Sequence, residues 1–217
     1  MENILVYSDS VSWGIIPGTR KRLPFSQRWP GVLESCLNRD GRKVRVIENC
    51  LNGRRTVWED PFRAGRRAVD GLAQVIEMHS PLDCVLLMLG TNDFQDTHDN
   101  RAWMSAQGVA KLVSIIREAP TEPGMPVPQI LIIAPLAIVD PKGMIGNKFT
   151  GAEQRCRGLP QELDNVSRDL NTLFLDANAW VKVSERDGVH LDEDQHEILG
   201  KVIGDFLVKS PVFDRKK

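Results

Sequence analysis

Short apolar segments recur along the chain and alternate with amphipathic stretches. Five of these segments are continuously apolar, which is typical of strands that are covered on both faces of a parallel sheet. They predict strands at residues 4–7, 44–47, 84–89, 130–133 and 173–175. Apolar residues at helical spacing lie between and after these segments. They predict helices at residues 29–38, about 63–79, about 101–118, about 151–170 and about 192–208.

The alternation of strands and helices predicts an α/β fold, a three-layer αβα sandwich around a five-stranded parallel sheet. Asp40 and Gly41 form a stop signal after the first long helix. We expect a single domain over residues 1–217, with a frayed tail at residues 210–217. Two long loops, at residues 15–27 and 135–150, interrupt the pattern, and loops of this length are usually functional or disordered.

Composition and charge narrow the classes of protein to which the chain can belong. The chain has 217 residues, of which 41% are hydrophobic and 26% charged, and its net charge is −1, so no basic excess indicates a nucleic-acid partner. The first residues do not resemble a secretory signal, and no apolar run approaches the ~20 residues that span a bilayer. The four cysteines are scattered without a CxxC pair. We therefore expect reduced thiols, a cytoplasmic location and neither a metal nor a cofactor.

Polar residues follow four of the predicted elements at the same edge of the sheet, where parallel α/β folds carry their chemistry. They are Ser8-Asp9-Ser10, Asn52-Gly53, Gly90-Thr91-Asn92-Asp93 and Asp187-Gly188-Val189-His190. A serine hydroxyl becomes a useful nucleophile when a base takes its proton and a carboxylate orients that base. The serine run and the Asp187–His190 run supply these three groups.

These four blocks, in this order, resemble those of the SGNH hydrolases, also called GDSL-type esterases and lipases. Further residues are similar to the arylesterase and acyltransferase subgroup. They are Ser12-Trp13-Gly14, Arg28-Trp29, Leu51-Asn52-Gly53-Arg54, Asp60-Pro61 and Val127-Pro128. The resemblance implies a flavodoxin-like SGNH hydrolase fold over nearly the whole chain.

The resemblance also implies roles for single residues. Ser10 matches the family nucleophile, His190 the general base and Asp187 the carboxylate that orients it. The backbone N–H of Ser10, the backbone N–H of Gly53 and the side-chain amide of Asn92 match the oxyanion hole. Such donors stabilise the charge of a tetrahedral intermediate, and removing one typically costs on the order of 10²–10³ in turnover.

The chain departs from the family at two positions: Ser8 stands where glycine is usual, and Arg55 where a small hydroxyl residue is common. We expect Arg55 to narrow the acyl side of the pocket or to give it positive charge. Trp13 and Ile145 are the other candidates for substrate contact. The apolar residues of the two long loops predict either an acyl pocket or a contact between subunits. His196, in the last helix, is expected to be exposed.

Together these features predict a serine esterase that hydrolyses short-chain acyl esters, such as acetyl esters of aryl alcohols or carbohydrates, through an acyl-enzyme. Acyl transfer to alcohols and assembly into a homo-oligomer are further expectations from the subgroup. One alternative is a thioesterase or lysophospholipase of the same fold. Another is a nucleotide-binding module of flavodoxin-like shape, although the first turn lacks a G-x-G-x-x-G or P-loop motif.

Overall fold

The sheet has the predicted five strands, all parallel, in the order β2-β1-β3-β4-β5. The computed structural model describes residues 1–39 and 41–216. Asp40 and Lys217, which belong to the predicted helix stop and tail, lie outside the described residues. The strands are β1 Glu2–Ser8, β2 Val44–Cys50, β3 Cys84–Met88, β4 Gln129–Ala134 and β5 Leu173–Asp176. The doubly wound strand order confirms the predicted flavodoxin-like arrangement.

Seven α-helices connect or follow the strands in the described chain. They are α1 Ser10–Trp13, α2 Trp29–Arg39, α3 Leu72–His79, α4 Ala102–Glu118, α5 Ala152–Arg155, α6 Leu159–Asp169 and α7 Glu193–Lys209. The predicted bounds of two helices are wrong. The one at 63–79 is an α-helix only in α3, and the one at 151–170 is divided into α5 and α6. In both cases the helix begins directly after a glycine with positive φ, Gly71 at 81° and Gly158 at 85°, a conformation that lies outside the right-handed helix.

Helices cover both faces of the sheet, and alternate strand residues face each layer. Leu5 and Tyr7 of β1 pack in the layer with α3, α4 and α6, whereas Ile4 and Val6 pack in the layer with α2 and α7. This double coverage explains why the strands are continuously apolar in sequence.

The register aligns the carboxyl ends of β2, β1 and β3, which are neighbours in the sheet. Ser8 pairs with Cys50 of β2 and with Met88 of β3. The segments that leave β1, β2 and β3 therefore start side by side. The sheet brings residues that are more than 80 positions apart in sequence to one edge.

The loops and the tail contain more structure than the sequence indicates. Short 3-10 helices occupy Phe25–Gln27 and Gly143–Phe149 within the two long loops, and Pro211–Lys216 at the end. The tail expected to be frayed from residue 210 packs against the protein at Val212, which is 2% exposed. Among the described helices, none combines the length and the apolar character that crossing a bilayer requires.

Candidate active site

Ser10 lies at the start of α1, directly beyond the end of β1. The side chain of Asp9 caps this helix, with its Oδ1 accepting the Val11 N–H at 3.0 Å. Ser10 is 6% exposed, and its hydroxyl lies in an open pocket at the carboxyl edge of the sheet. The tight strand-to-helix turn thus holds the hydroxyl at a fixed place in that pocket.

His190 and Asp187 come from the loop between β5 and α7 and reach Ser10 across the sheet edge. His190 Nε2 lies 3.0 Å from Ser10 Oγ, and His190 Nδ1 lies 2.8 Å from Asp187 Oδ2. The loop is fixed by the segment after β4, because the Val139 N–H donates to Gly188 O at 3.0 Å. The three side chains therefore form one continuous hydrogen-bonded series, as the sequence predicts.

The second oxygen of Asp187 is held by the backbone. The N–H groups of Val189 and His190 both donate to Oδ1, each at 3.0 Å. Burial acts to raise the pKa of Asp187, but the hydrogen bond and charge of His190 and the two N–H groups outweigh it and lower the pKa to about 2. The carboxylate is therefore ionised at neutral pH and accepts a hydrogen bond from the N–H at Nδ1. That leaves Nε2 as the nitrogen that accepts the hydrogen bond of the Ser10 hydroxyl.

Three hydrogen-bond donors belong to residues that line the pocket of the Ser10 hydroxyl. Within the described residues, the N–H of Ser10 and the N–H of Gly53 have no hydrogen-bond partner in the protein. Asn92 contributes the third donor from the turn after β3, and all three residues line the same pocket. Gly53 has φ = 80°, a conformation that a residue with a side chain rarely adopts.

Asn92 is oriented from both ends of its amide. Its Nδ2 donates to Asp9 Oδ2 at 3.0 Å, and its Oδ1 accepts from Gln95 Nε2 at 2.7 Å. Gln95 Oε1 in turn accepts from Arg55 Nη2 at 3.0 Å. Since Gln95 donates to the amide oxygen, the amide nitrogen must face Asp9 and the pocket. Burial raises the pKa of Asp9 to about 6, and the N–H of Val11 partly opposes that rise.

Known proteins share both the sequence pattern and the fold. The sequence matches the model of the GDSL-like lipase/acylhydrolase family over residues 9–198. The chain belongs to this family. The family places it among the enzymes that hydrolyse carboxylic esters. No curated protein sequence matches it significantly.

Several solved structures are similar to this GDSL-like enzyme over nearly its whole length. The carbohydrate acetylesterase Est24 from Sinorhizobium meliloti is 28% identical, with a TM-score of 0.90, and the match covers 96% of this chain and 99% of that one. The native aryl esterase of M. smegmatis is 27% identical with the same TM-score and coverage. A protein from Agrobacterium tumefaciens described as an arylesterase is 31% identical, with a TM-score of 0.86, over 96% and 99% of the two chains.

The structure shows how this family member accommodates a serine at position 8. The Ser8 hydroxyl donates to Met88 O at 2.7 Å and lies 2.6 Å from Ser12 Oγ, which accepts from Trp29 Nε1 at 3.0 Å. Because the single O–H of Ser8 donates to Met88 O, the O–H of Ser12 donates to Ser8 Oγ. Both hydroxyls are fully buried and engaged in this series, which leaves Ser10 as the serine at the pocket surface.

A second buried network braces the turn that carries Asn92 in the GDSL-like enzyme. Asp93 accepts from the N–H of Thr56 at 2.9 Å, from its hydroxyl at 2.7 Å and from the Ser105 hydroxyl at 2.6 Å. Burial raises the pKa of Asp93 to about 6, against the effect of these donors. The network joins the segment after β2 to the turn after β3, so it fixes the position of Gly53 relative to Asn92.

The pocket beside Ser10 has both apolar and charged walls. Its lining consists of Ser10, Ile15, Arg20, Asn52, Gly53, Asp60, Arg63, Asn92, Gln95, Ile145, Lys148, Phe149 and His190. Ile145, predicted to contact the substrate, is part of this lining. Ile15 and Phe149, from the two long loops, also face the pocket, whereas Met144 is exposed. Within residues 1–39 and 41–216, no cluster of His, Cys, Asp or Glu suits a metal ion.

Three predictions about single residues in this enzyme are corrected by the structure. Arg55 does not contact the pocket, because its side chain is 0% exposed and its Nη2 donates to the side-chain oxygen of Gln95. Trp13 lies outside the pocket lining and packs beneath Arg22, whose guanidinium carbon is 4.6 Å from the ring centre. His196 is buried, and its Nδ1 accepts from the Trp29 N–H at 3.3 Å.

Gln95 is a site residue that the sequence interpretation missed. It lies three positions after Asn92, a spacing that places two side chains together when the chain turns helically. The segment Thr91–Phe94 is indeed a 3-10 helix. The G-T-N-D motif with Gln95 two positions after it therefore contained a signal, but one too short to stand out without the fold.

Proposed function

We propose that this protein is a serine esterase in which Ser10 is the nucleophile, His190 the general base and Asp187 the residue that orients the base. The observation that supports this assignment most directly is the series Asp187 Oδ2, His190 Nδ1, His190 Nε2 and Ser10 Oγ, with successive contacts of 2.8 and 3.0 Å. An oxyanion hole formed by the N–H groups of Ser10 and Gly53 and the amide of Asn92 completes the site.

The reaction proceeds in two acyl-transfer steps. His190 Nε2 takes the Ser10 proton as Oγ attacks the ester carbonyl, and the three donors bind the resulting oxyanion. The intermediate collapses, His190 gives the proton to the departing alkoxide, and the acyl group stays on Ser10. Water then attacks the acyl-enzyme with His190 again as base, which releases the carboxylic acid and restores the hydroxyl.

Short acyl groups on aryl alcohols or carbohydrates are the substrates that the pocket favours. Ile15, Ile145 and Phe149 close its apolar side near Ser10, which restricts the room for a long acyl chain. The similarity to an aryl esterase and a carbohydrate acetylesterase supports the same choice. A series of p-nitrophenyl esters of increasing chain length, measured beside acyl-CoA, separates this proposal from a thioesterase or lysophospholipase. A preference for long acyl chains would contradict it.

Replacing Ser10 tests the chemistry. Ser10→Ala should abolish p-nitrophenyl acetate hydrolysis and labelling by a fluorophosphonate, whereas Ser26→Ala, at an exposed serine on another loop, should leave both unchanged. Mass mapping of the label in the unaltered enzyme should identify Ser10. Retention of most activity in Ser10→Ala would overturn the assignment.

Three finer properties belong to the same proposal. The apolar wall of the pocket favours an alcohol over water as acyl acceptor, so transfer to an added alcohol is expected and product analysis tests it. Exposed Met144, in the loop at residues 135–150, supports a homo-oligomer, which light scattering tests. The four free cysteines support a reducing, cytoplasmic location for a single-domain enzyme, and we propose no metal, cofactor or nucleic-acid partner.

A further inference from the structure

Three cationic side chains line the pocket that contains Ser10. They are Arg20 from the loop before α2, Arg63 from the segment before α3 and Lys148 from the loop after β4. All three are exposed. Across the described part of the chain, none of these three side chains has a hydrogen-bond or ion-pair partner in the protein. Three separate loops thus direct an uncompensated positive charge to one pocket.

The nearby carboxylates do not neutralise this charge. Asp60 lines the pocket, but Arg55 lies 3.8 Å behind it as a buried counter-ion. Asp96, in the adjoining hollow, lies 4.0 Å from Arg155. Each of these two carboxylates therefore already has an arginine as its counter-ion. The pocket lining retains more positive than negative charge.

The cations lie close to the reacting groups. A Cβ atom placed on Gly53 would lie 3.5 Å from Arg63 Nη1, so this guanidinium passes beside the proposed oxyanion donor. Arg63 and Lys148 also line the adjoining hollow, which continues the pocket toward Thr97. A substrate with its ester carbonyl at Ser10 and its remainder in this hollow would therefore pass between the two cations.

Packing does not explain this arrangement. The three side chains bury little surface, so they contribute little to the stability of the fold, and like charges gathered at one place repel each other. Arg66 shows this effect, because its pKa is lowered first by burial and then by the charge of Arg63. An anionic ligand would remove the repulsion.

We propose that the physiological ester carries a negative charge, as a carboxylate or phosphate, which Arg20, Arg63 and Lys148 bind while the carbonyl lies at Ser10. This inference rests on the proposed esterase function and adds a substrate class to it. The charge belongs either to the acyl part or to the alcohol part, and different substrates distinguish the two.

Matched pairs of charged and neutral esters test the inference on the full-length enzyme. For the alcohol part the pair is 4-acetoxyphenylacetate and its methyl ester, with 4-acetoxyphenyl phosphate as the phosphate probe. For the acyl part the pair is the p-nitrophenyl monoester of adipate and its methyl ester. In at least one pair kcat/KM should favour the anion by about tenfold, and salt at about 0.5 M should reduce that preference because it screens exposed charges.

Charge-removing variants then assign the preference to residues. Arg20→Gln, Arg63→Gln and Lys148→Gln should each lower the ratio of anionic to neutral kcat/KM by about twofold, the usual size of one exposed ion pair, so that the three together account for the roughly tenfold preference. Lys142→Gln, whose side chain is exposed and pairs with Asp140 2.8 Å away, is the control and should keep the ratio. Neutral esters hydrolysed without any anionic preference would overturn this inference and leave the esterase intact. If the enzyme hydrolysed none of the four esters in the two pairs, the esterase proposal and this inference would both be overturned.

Discussion

Replacing Asp187 by asparagine should disable the enzyme by fixing the wrong tautomer of His190. Oδ1 of Asp187 accepts two backbone N–H groups at 3.0 Å, so the single oxygen of an asparagine will occupy that place. The amide NH₂ must then face His190 Nδ1, at the position now 2.8 Å away. Nδ1 becomes an acceptor and the proton moves to Nε2, where it blocks proton transfer from Ser10.

The size of the effect has two parts. Against the effect of burial, the pKa of Asp187 is lowered from 3.8 to about 2, chiefly by His190, so the residue is a carboxylate at neutral pH. Asparagine removes the negative charge that stabilises the imidazolium, and we expect this loss alone to cost at least about tenfold. The wrong tautomer adds to this, and serine hydrolases with the same change lose on the order of 10⁴ in kcat. We expect a loss near the larger figure.

The assay is kcat for p-nitrophenyl acetate, together with imidazole ¹⁵N chemical shifts that report which nitrogen carries the proton. Circular dichroism should show an unchanged fold. Asp194→Asn is the matched control, because Asp194 is an exposed carboxylate in the first turn of α7. If Asp187→Asn retains more than about a tenth of the activity, or its ¹⁵N shifts still place the proton on Nδ1, the reasoning is refuted.

Three further changes test other parts of the site. Asn92→Ala should lower kcat by about 10²–10³ with little change in KM, because it removes one oxyanion donor, and an unchanged kcat would exclude that role. Gly188→Ala should lower both the melting temperature and kcat, since φ is 73° and the new Cβ would lie 2.0 Å from Val139 O; thermal melts and kinetics check this. His196, with a pKa lowered to about 3 mainly by burial, stays neutral in the fold while the unfolded chain takes up a proton near pH 6.5. The free energy of unfolding should therefore fall as pH decreases from 6.5 toward 3, and denaturant titrations should show a smaller fall in His196→Asn.

The sequence by itself determined the sheet and the edge where the chemistry lies. A strand covered on both faces must be continuously apolar, and residues 84–89 show that pattern without any tertiary information. Parallel strands also end at one edge, so Ser10, Asn92 and His190 were expected to meet there. The structure brings them together.

Tertiary structure decided what the single polar residues do. Arg55 was expected in the pocket and His196 at the surface, but both are fully buried. Their surroundings come from distant segments: Arg55 meets Gln95, 40 positions away, and His196 meets Trp29, 167 positions away.

The physical reason is that apolar periodicity reports which face of an element is buried, whereas the partner of a polar group depends on which segments pack together. Gln95 illustrates this difference. Its proximity to Asn92 is local and readable from spacing, but its contact with Arg55 exists only because the segments after β2 and β3 lie side by side. The packing of separate loops at the same sheet edge likewise gathers Arg20, Arg63 and Lys148 around the pocket of Ser10, and no pattern within any one of those loops indicates it.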